Sequence, residues 1–327
     1  MLIPQIRISV IVCVYNRQDF IGPCLTSILG QDKDDYELLI VDDGSTDKTS
    51  SIIRSLTDPK MHLIFNGVNK GMCYSRNQGI AYARGEIIVF TDSDCIVDPQ
   101  WLSELIKPFG VDNDIMIVGG RIIDPPAQTY WEKVNNGMNH IAPASGYVSK
   151  IIGCNMAFQR QFLTNNLFDE RLPAADEWDL CIRCERSHKK IFYTDKELVT
   201  HYHRSSLKSS LKQHFCFGYS TAALKIKHGQ LPYFSYGTLG LLSVILCSFL
   251  GRWVHQFYYL AIISGLFYIG LTGYWNAWGC GRKFKERMVT YPGFVLVFLA
   301  FCLGNLYFPI DLIKQSWVSF LIKFSRK

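Results

Sequence analysis

At 327 residues the chain is long enough for one large domain or two, with a sizeable buried core. Its net charge of +6 is unevenly placed: residues 1–230 hold 25 Lys and Arg against 26 Asp and Glu, whereas 231–327 hold nine basic residues and only Glu286 and Asp311. The positive excess thus lies on the most apolar part of the chain, which points to a membrane surface and away from nucleic acid as a partner.

Met1 leads within a few residues into a strand, so no signal peptide is expected. Residues 8–15 (Ile-Ser-Val-Ile-Val-Cys-Val-Tyr) are a near-continuous apolar run, as in a parallel strand covered on both faces, and Asn16-Arg17 ends it. A helix follows from Phe20 to Leu29, with Cys24, Leu25 and Ile28 at helical spacing. Tyr36 to Val41 is a second strand. It closes in Asp42-Asp43-Gly44-Ser45-Thr46-Asp47, where Gly44 permits a tight turn and Ser45, Thr46 or Asp47 caps a helix over about 47–56. Leu63-Ile64-Phe65 is a third strand, and the segment from Asn69 to Gly79 leads into a helix over 74–84.

The next strand, Glu86 to Thr91, ends in Asp92-Ser93-Asp94. Residues i and i+2 of an extended segment face the same side, so Asp92 and Asp94 present two carboxylates to one object. A divalent cation, Mg2+ or Mn2+, suits them, because such ions accept one or two carboxylates and complete their shell with water and substrate phosphates. The strand–helix alternation predicts an α/β fold with a doubly wound, mostly parallel sheet, whose ligands sit beyond the carboxyl ends of the strands. Asp42, Asp43, Arg76, Asp92 and Asp94 all fall at such ends or in the turns beside them. Four carboxylates converging with one guanidinium are costly to bury alone, whereas a cation with a diphosphate satisfies the set.

The order Val-Tyr-Asn-Arg (14–17), Val-Asp-Asp-Gly-Ser-Thr-Asp (41–47), Asn-Lys-Gly…Ser-Arg-Asn-Gln-Gly (69–79) and Thr-Asp-Ser-Asp (91–94) resembles the family 2 glycosyltransferases with the GT-A fold. The resemblance implies a nucleoside diphosphate sugar as donor. It implies Asp42 or Asp43 at the base or ribose, Asp92 at the ribose or at metal-bound water, Asp94 at the metal and Arg76 at the nucleotide.

Further along, Gly119 to Ile123 reads as a strand, and 125–150 is a loop-rich aromatic stretch that covers the site or merely connects elements. Gly153 to Phe158 matches a strand that in the family lines the acceptor side. Over 176–183 (Asp-Glu-Trp-Asp-Leu-Cys-Ile-Arg) the family pattern is Glu-Asp, one residue, Asp-Leu, then an Arg three further on. With Asp179-Leu180 and Arg183 matched, the family's catalytic Asp falls on Glu177 and its Glu on Asp176, so the two acids are swapped. The resemblance implies an inverting transfer in which Glu177 takes the proton of the acceptor hydroxyl, with Asp176 the competing base. Acids at this place also serve a helix N-terminus.

Lys190 to Tyr193 and Leu198 to His203 read as two strands, with His201 and His203 on one face. His201 fits the family position that completes the metal shell or touches the diphosphate; a structural histidine pair is the alternative. Of eleven cysteines only Cys181 and Cys184 form a CxxC, without further ligands at zinc spacing, so thiols in a reducing cytoplasm are expected.

Three regions are expected: a catalytic domain over 1–204, an interfacial segment over 205–230 and a membrane domain over 231–327. The interfacial segment is basic and amphipathic, with Lys208, Lys212, Lys225 and Lys227 beside Leu207, Leu211, Phe215 and Leu224. Gln213-His214-Phe215-Cys216-Phe217 stands where processive family members carry Gln-x-x-Arg-Trp, which implies a non-processive enzyme. Segments 228–251, 253–281 and 288–310 lack Lys, Arg, Asp and Glu, and each is long enough to cross about 30 Å of hydrocarbon. Asn305 and Pro309 interrupt the third, which spans or re-enters. The cluster Arg282, Lys283, Lys285 and Arg287 belongs on the cytoplasmic side. The chain therefore reads as a multi-pass enzyme of the cytoplasmic membrane, its catalytic domain cytoplasmic, acting in polysaccharide assembly on a lipid-linked or glycan acceptor. Competing readings are a membrane-anchored nucleotidyltransferase and a transport or receptor protein with a non-catalytic α/β domain.

Overall fold

The computed structural model describes residues 7–136 and 144–229, with a few further positions between 265 and 307. The chain divides into two compact units, residues 1–126 with 142–203, and residues 127–141 with 204–327.

The first unit begins with β1 (Ile8–Val14), α1 (Ile21–Leu29), β2 (Tyr36–Asp42), α2 (Thr49–Ser55), β3 (Met61–Phe65), α3 (Met72–Tyr82) and β4 (Ile87–Asp92). Every residue of β1 and β2 is buried, because helices cover both faces of the sheet. Alternate residues of β1 feed opposite cores. Ile8, Val10, Val12 and Val14 pack in the cluster that holds Ile21, Cys24, Leu25 and Ile28 of α1, while Ile11 and Cys13 join Cys73 and Ile80 of α3. The parallel register sets Val14 opposite Asp42 and Cys13 opposite Asp92, so the acids that end β2 and β4 come level on either side of β1.

The chain continues through β5 (Cys95–Val97), α4 (Trp101–Ile106), β6 (Ile115–Ile123), α5 (Tyr130–Asn135), β7 (Gly146–Tyr147), β8 (Asn155–Gln159), α6 (Arg160–Asn165), α7 (Asp176–Arg186), β9 (Lys190–His201) and α8 (Leu207–Lys227). The described strands form one nine-stranded sheet of order β3-β2-β1-β4-β8-β6-β9-β5, with β7 paired to β9. The α/β expectation is met, but the sheet is mixed rather than mostly parallel. β8 inserts antiparallel between β4 and β6, and β9 pairs antiparallel with β5 and β7 while running parallel to β6.

One strand, β9, replaces the two read over 190–193 and 198–203. Polar, exposed Asp195 and Lys196 interrupt the apolar pattern there. The irregularity is a bend rather than a break: the β6–β9 register shifts on either side of Arg121 and Glu197. Such bulges turn a strand without ending it. The last residues of β9 thereby reach β5, where His201 pairs with Cys95 directly after Asp94.

Fully buried Trp101 of α4 donates its indole N–H to Asn155 Oδ1 at 2.9 Å, and Asn155 Nδ2 donates to the Arg121 carbonyl at 2.9 Å. These bonds fix β8 against α4 and β6 without leaving a buried amide unpaired.

In the second unit, α5 opens with a capping box between Thr129 and Glu132. Asn135 Nδ2 then donates to the Arg204 carbonyl at 3.0 Å and to Ser210 Oγ at 2.8 Å, which ties α5 to the start of α8. Among the described residues no helix is long and apolar enough to cross a membrane. The apolar segments 228–251, 253–281 and 288–310 lie almost wholly outside the described residues.

Candidate active site

The ends of β1 and β2 are clipped together by short polar side chains. Ser45 Oγ accepts from Asn16 N at 3.0 Å, Asn16 Oδ1 accepts from Thr46 N at 2.8 Å, and Thr49 Oγ1 accepts from Arg17 N at 2.8 Å. Gly44 makes the turn with φ +76°, and a Cβ there would stand 2.7 Å from the Val68 backbone, so no side chain fits.

Asp42 and Asp43 hold these loops. Asp42 accepts from Ser45 N at 2.9 Å and from the Ser50 hydroxyl. Asp43 Oδ1 accepts from Asn66 Nδ2 and Lys70 N, each at 2.9 Å, and its Oδ2 accepts from Gly71 N at 2.8 Å. Both carboxylates are buried and engaged by the chain itself, so they shape the bed of the loops.

Asp92, Asp94 and His201 come together at the end of β4 as one group, each with a donor atom within 4.8 Å of the others. His201 Nε2 lies 3.5 Å from Asp94 Oδ1, and Arg17 Nε lies 3.4 Å from Asp94 Oδ2. Burial alone would raise the Asp94 carboxyl, but the hydrogen bond and charge of His201, with Arg17, bring it below its ordinary value. Asp92 moves the other way: burial raises it by more than Arg76 relieves, and Asp94 adds to the rise. On His201, burial disfavours the charged ring, yet Cys154 and Asp94 outweigh it and lift the ring to about 10. The imidazole must therefore give up a proton to take a cation.

His203, read as sharing a face with His201, turns to a different acid. Its Nε2 lies 2.7 Å from Asp124 Oδ1, while its ring stands edge-on to that of His201 at 4.6 Å.

Arg76 joins this carboxylate group to α7. It is 5% exposed, packs over the rings of Phe168 and Phe90, and reaches Asp92 Oδ1 at 3.3 Å with one arm and Asp176 Oδ2 with the other. Burial works against its charge, but Asp176 and Asp92 overcome that and hold it protonated. Ala175, just before α7, adopts a left-handed backbone at φ 53°, uncommon for a residue with a side chain. That turn starts the helix with Asp176 and Glu177 inside the molecule, both buried.

The two swapped acids have different partners. Asp176 is held by Arg76. Among the described residues no other side chain hydrogen-bonds Glu177, which takes only its own backbone N–H. Gly153 leaves room beside Glu177: a Cβ there would come within 3.3 Å of Glu177 Oε2 and 3.4 Å of Arg76 Nη2. Burial first, and then Asp176, push the Glu177 carboxyl up to about 8. Asp179 points elsewhere and pairs with Arg183 at 2.8 Å, one turn along α7.

Asp92, Asp94, Asp176 and Glu177 thus gather around Arg17, Arg76 and His201. The carboxylates are answered within the set only while His201 keeps its proton; a cation that takes the imidazole displaces that proton and supplies the positive charge in its place. Two carboxylates with an imidazole form a donor set that fits a divalent ion of the manganese kind. Sequence reasoning gave Arg17 no such role, although it ends the Val-Tyr-Asn-Arg stretch just past β1 that is part of the family resemblance. It also missed Cys95 and Cys154, which border His201 and carry no motif of their own.

Several known proteins resemble this chain. A glucosyl-dolichyl phosphate glucuronosyltransferase of Haloferax volcanii is 25% identical over 250 residues, covering 68% of this chain and 79% of that protein. The glycosyltransferase AglE of the same organism is 35% identical over 122 residues, covering 35% of this chain and 39% of that protein. Among solved structures, the mannosyltransferase PcManGT of Pyrobaculum calidifontis, in complex with GDP-Man and Mn2+, superposes with a TM-score of 0.60 at 19% identity. That match covers 93% of this chain and 88% of the other and shows a shared fold. Residues 9–168 match the family model named Glycosyl transferase family 2; the chain carries that domain, on a mixed α/β sheet of the GT-A kind, and is a glycosyltransferase.

Proposed function

We propose that this glycosyltransferase moves a sugar, with inversion and one residue at a time, from a nucleoside diphosphate sugar to a lipid-linked acceptor at the cytoplasmic membrane. The observation that carries the mechanism is the contrast between Asp176, held by Arg76, and Glu177, which no other described side chain holds.

In this reading Asp94, Asp92 and His201 hold a divalent cation, which when bound supplies positive charge to the leaving diphosphate. Asp42 and Asp43 brace the loops 44–50 and 66–71, on which the base and ribose rest. Arg76 orients Asp92 toward the nucleotide and holds Asp176 in place. Glu177 then takes the proton from the acceptor hydroxyl as that oxygen attacks the anomeric carbon. With its carboxyl near 8, only about a tenth of molecules carry the ionised base at pH 7, and those carry a stronger base than an ordinary glutamate.

The membrane part of the proposal rests on the sequence: three long segments without charged side chains, and the basic cluster at 282–287 placed for a cytoplasmic loop. Two named relatives support the chemistry by analogy, one acting on a dolichyl phosphate sugar and one binding GDP-Man with Mn2+.

The test is a donor screen with the full chain in detergent or vesicles. Each nucleotide sugar is offered with Mn2+ and a lipid extract, and nucleoside diphosphate release and labelled lipid are both measured. One donor should give release that depends on the lipid fraction and places label in it. Release that is equal without lipid, with label going only to soluble sugars, contradicts the lipid-linked acceptor.

A further inference from the structure

His201 pairs with Cys95 across the antiparallel β9–β5 ladder, so the two side chains leave the sheet on the same face. Cys154, just before β8, completes a second group around the ring: both sulfurs and a nitrogen of His201 lie within 4.8 Å of one another. The two thiols are free and buried, at 1% and 3% exposure. His201 Nδ1 is itself buried and, among the described residues, has no hydrogen-bond partner.

Buried cysteines by themselves need no explanation, since a thiol packs as a small apolar group. An unpaired buried ring nitrogen does, because such an atom forfeits its bond to water without compensation. Its setting differs sharply from the carboxylate side of the same ring. Two sulfurs and an imidazole are the donors that Zn2+ prefers, and they are poor ligands for Mg2+ or Mn2+. Donors around a tetrahedral zinc stand about 3.5–4 Å apart, so the observed spacing closes with small side-chain rotations.

We propose that Cys95, Cys154 and His201 form a binding site for a thiophilic divalent cation of the zinc class, back to back with the Asp92–Asp94 pair and competing with it for His201. The ion takes two thiolates and the imidazole. Each thiol gives its proton to water as its bond to the metal forms, and a water or the Asp94 carboxylate takes the fourth position. A ring held by the soft site no longer serves the carboxylates, so a bound thiophilic ion lowers transfer supported by Mn2+. The binding itself rests on three donor atoms and stands whether or not the acceptor is a lipid.

Co2+ is the probe, added to the purified full chain. One equivalent should produce a thiolate-to-cobalt charge-transfer band that Zn2+ abolishes. Cys95→Ala and Cys154→Ala should each weaken binding by more than the roughly ten- to hundredfold that losing a mere partner of a ligand costs, retain transfer with Mn2+ and lose Zn2+ inhibition to the same extent. Asp92→Asn should leave the band in place. Should either alanine variant fail to fold, mass-spectrometric mapping of the cysteines that Zn2+ shields from alkylation in the unaltered chain replaces it, with Cys95 and Cys154 expected. The absence of any thiolate band overturns the proposal. So does a band that survives both alanine variants and disappears with Cys181→Ala, or Zn2+ inhibition that is unchanged in both.

Discussion

At the ends of β1 and β2, on the parallel side of the sheet, Asp42 and Asp43 are committed to the chain's own loops, and five hydrogen bonds from Ser45, Ser50, Asn66, Lys70 and Gly71 hold them. Where β4 meets the mixed part of the sheet, Asp92, Asp94, Asp176 and Glu177 instead face Arg17, Arg76 and His201, with more acid than base. One region is a finished scaffold, and the other is completed by what it binds. Asp94, Asp176 and Glu177 are buried as Asp42 and Asp43 are, so burial alone does not separate a structural carboxylate from a working one. The partner does.

Removing the cation ligand should break the comparison most severely. Asp94→Ala is expected to lower transfer by about three powers of ten or more, since charge stabilisation at the reacting centre is commonly worth that much. The fold should survive, because Asp94 lies outside both hydrophobic clusters. Chelator should do the same to the unaltered enzyme. Full turnover in the variant, or turnover that resists chelation, contradicts the cation site.

Within the second region Arg76 joins Asp92 to Asp176, and its loss should appear in stability as well as rate. Arg76→Met leaves Asp92 and Asp176 buried without their partner, which costs about 3–5 kcal/mol in a chemical unfolding curve. Arg76→Lys should recover little of it, because an ammonium does not fork to two carboxylates as a guanidinium does. A lysine variant as stable as the original shows that the two-armed geometry is unimportant.

On the scaffold side the effect is smaller and of another kind. Asp43→Ala frees Lys70 N and Gly71 N from their acceptor, a loss of about 1–3 kcal/mol. It should raise the KM for donor while leaving kcat nearly unchanged. An equal fall in kcat places Asp43 among the reacting groups and erases the distinction between the two regions.

Legibility in the sequence follows the same division. The strands and helices up to Asp94 were readable because each is a local pattern: apolar runs, turn residues and the i, i+2 spacing of Asp92 and Asp94. Beyond them, the decisive contacts join distant residues. Arg76 meets Asp176 a hundred positions later, and His201 meets Asp94 only because β9 bends at Glu197 to reach β5. The antiparallel insertion of β8 left no trace in periodicity, since a fully buried strand reads the same in either direction. Resemblance to a family placed Glu177 and Asp176, but the sequence did not say which of the two Arg76 would claim.

That assignment is the account's central claim, and the direct test is the pH dependence of transfer in Glu177→Gln and Asp176→Asn, with donor affinity measured alongside. A base that works ionised, with its carboxyl raised to about 8, makes the unaltered enzyme gain about tenfold in rate per pH unit below that value and then level off. Glu177→Gln should bind donor normally, lose two to four powers of ten in rate, roughly the range for missing general base catalysis, and show no such limb. Asp176→Asn should keep the limb, shifted to lower pH because a neighbouring negative charge is gone. If Glu177→Gln stays active with the limb intact while Asp176→Asn is dead, the base is Asp176, and its pairing with Arg76 is part of the chemistry rather than the reason it is excluded.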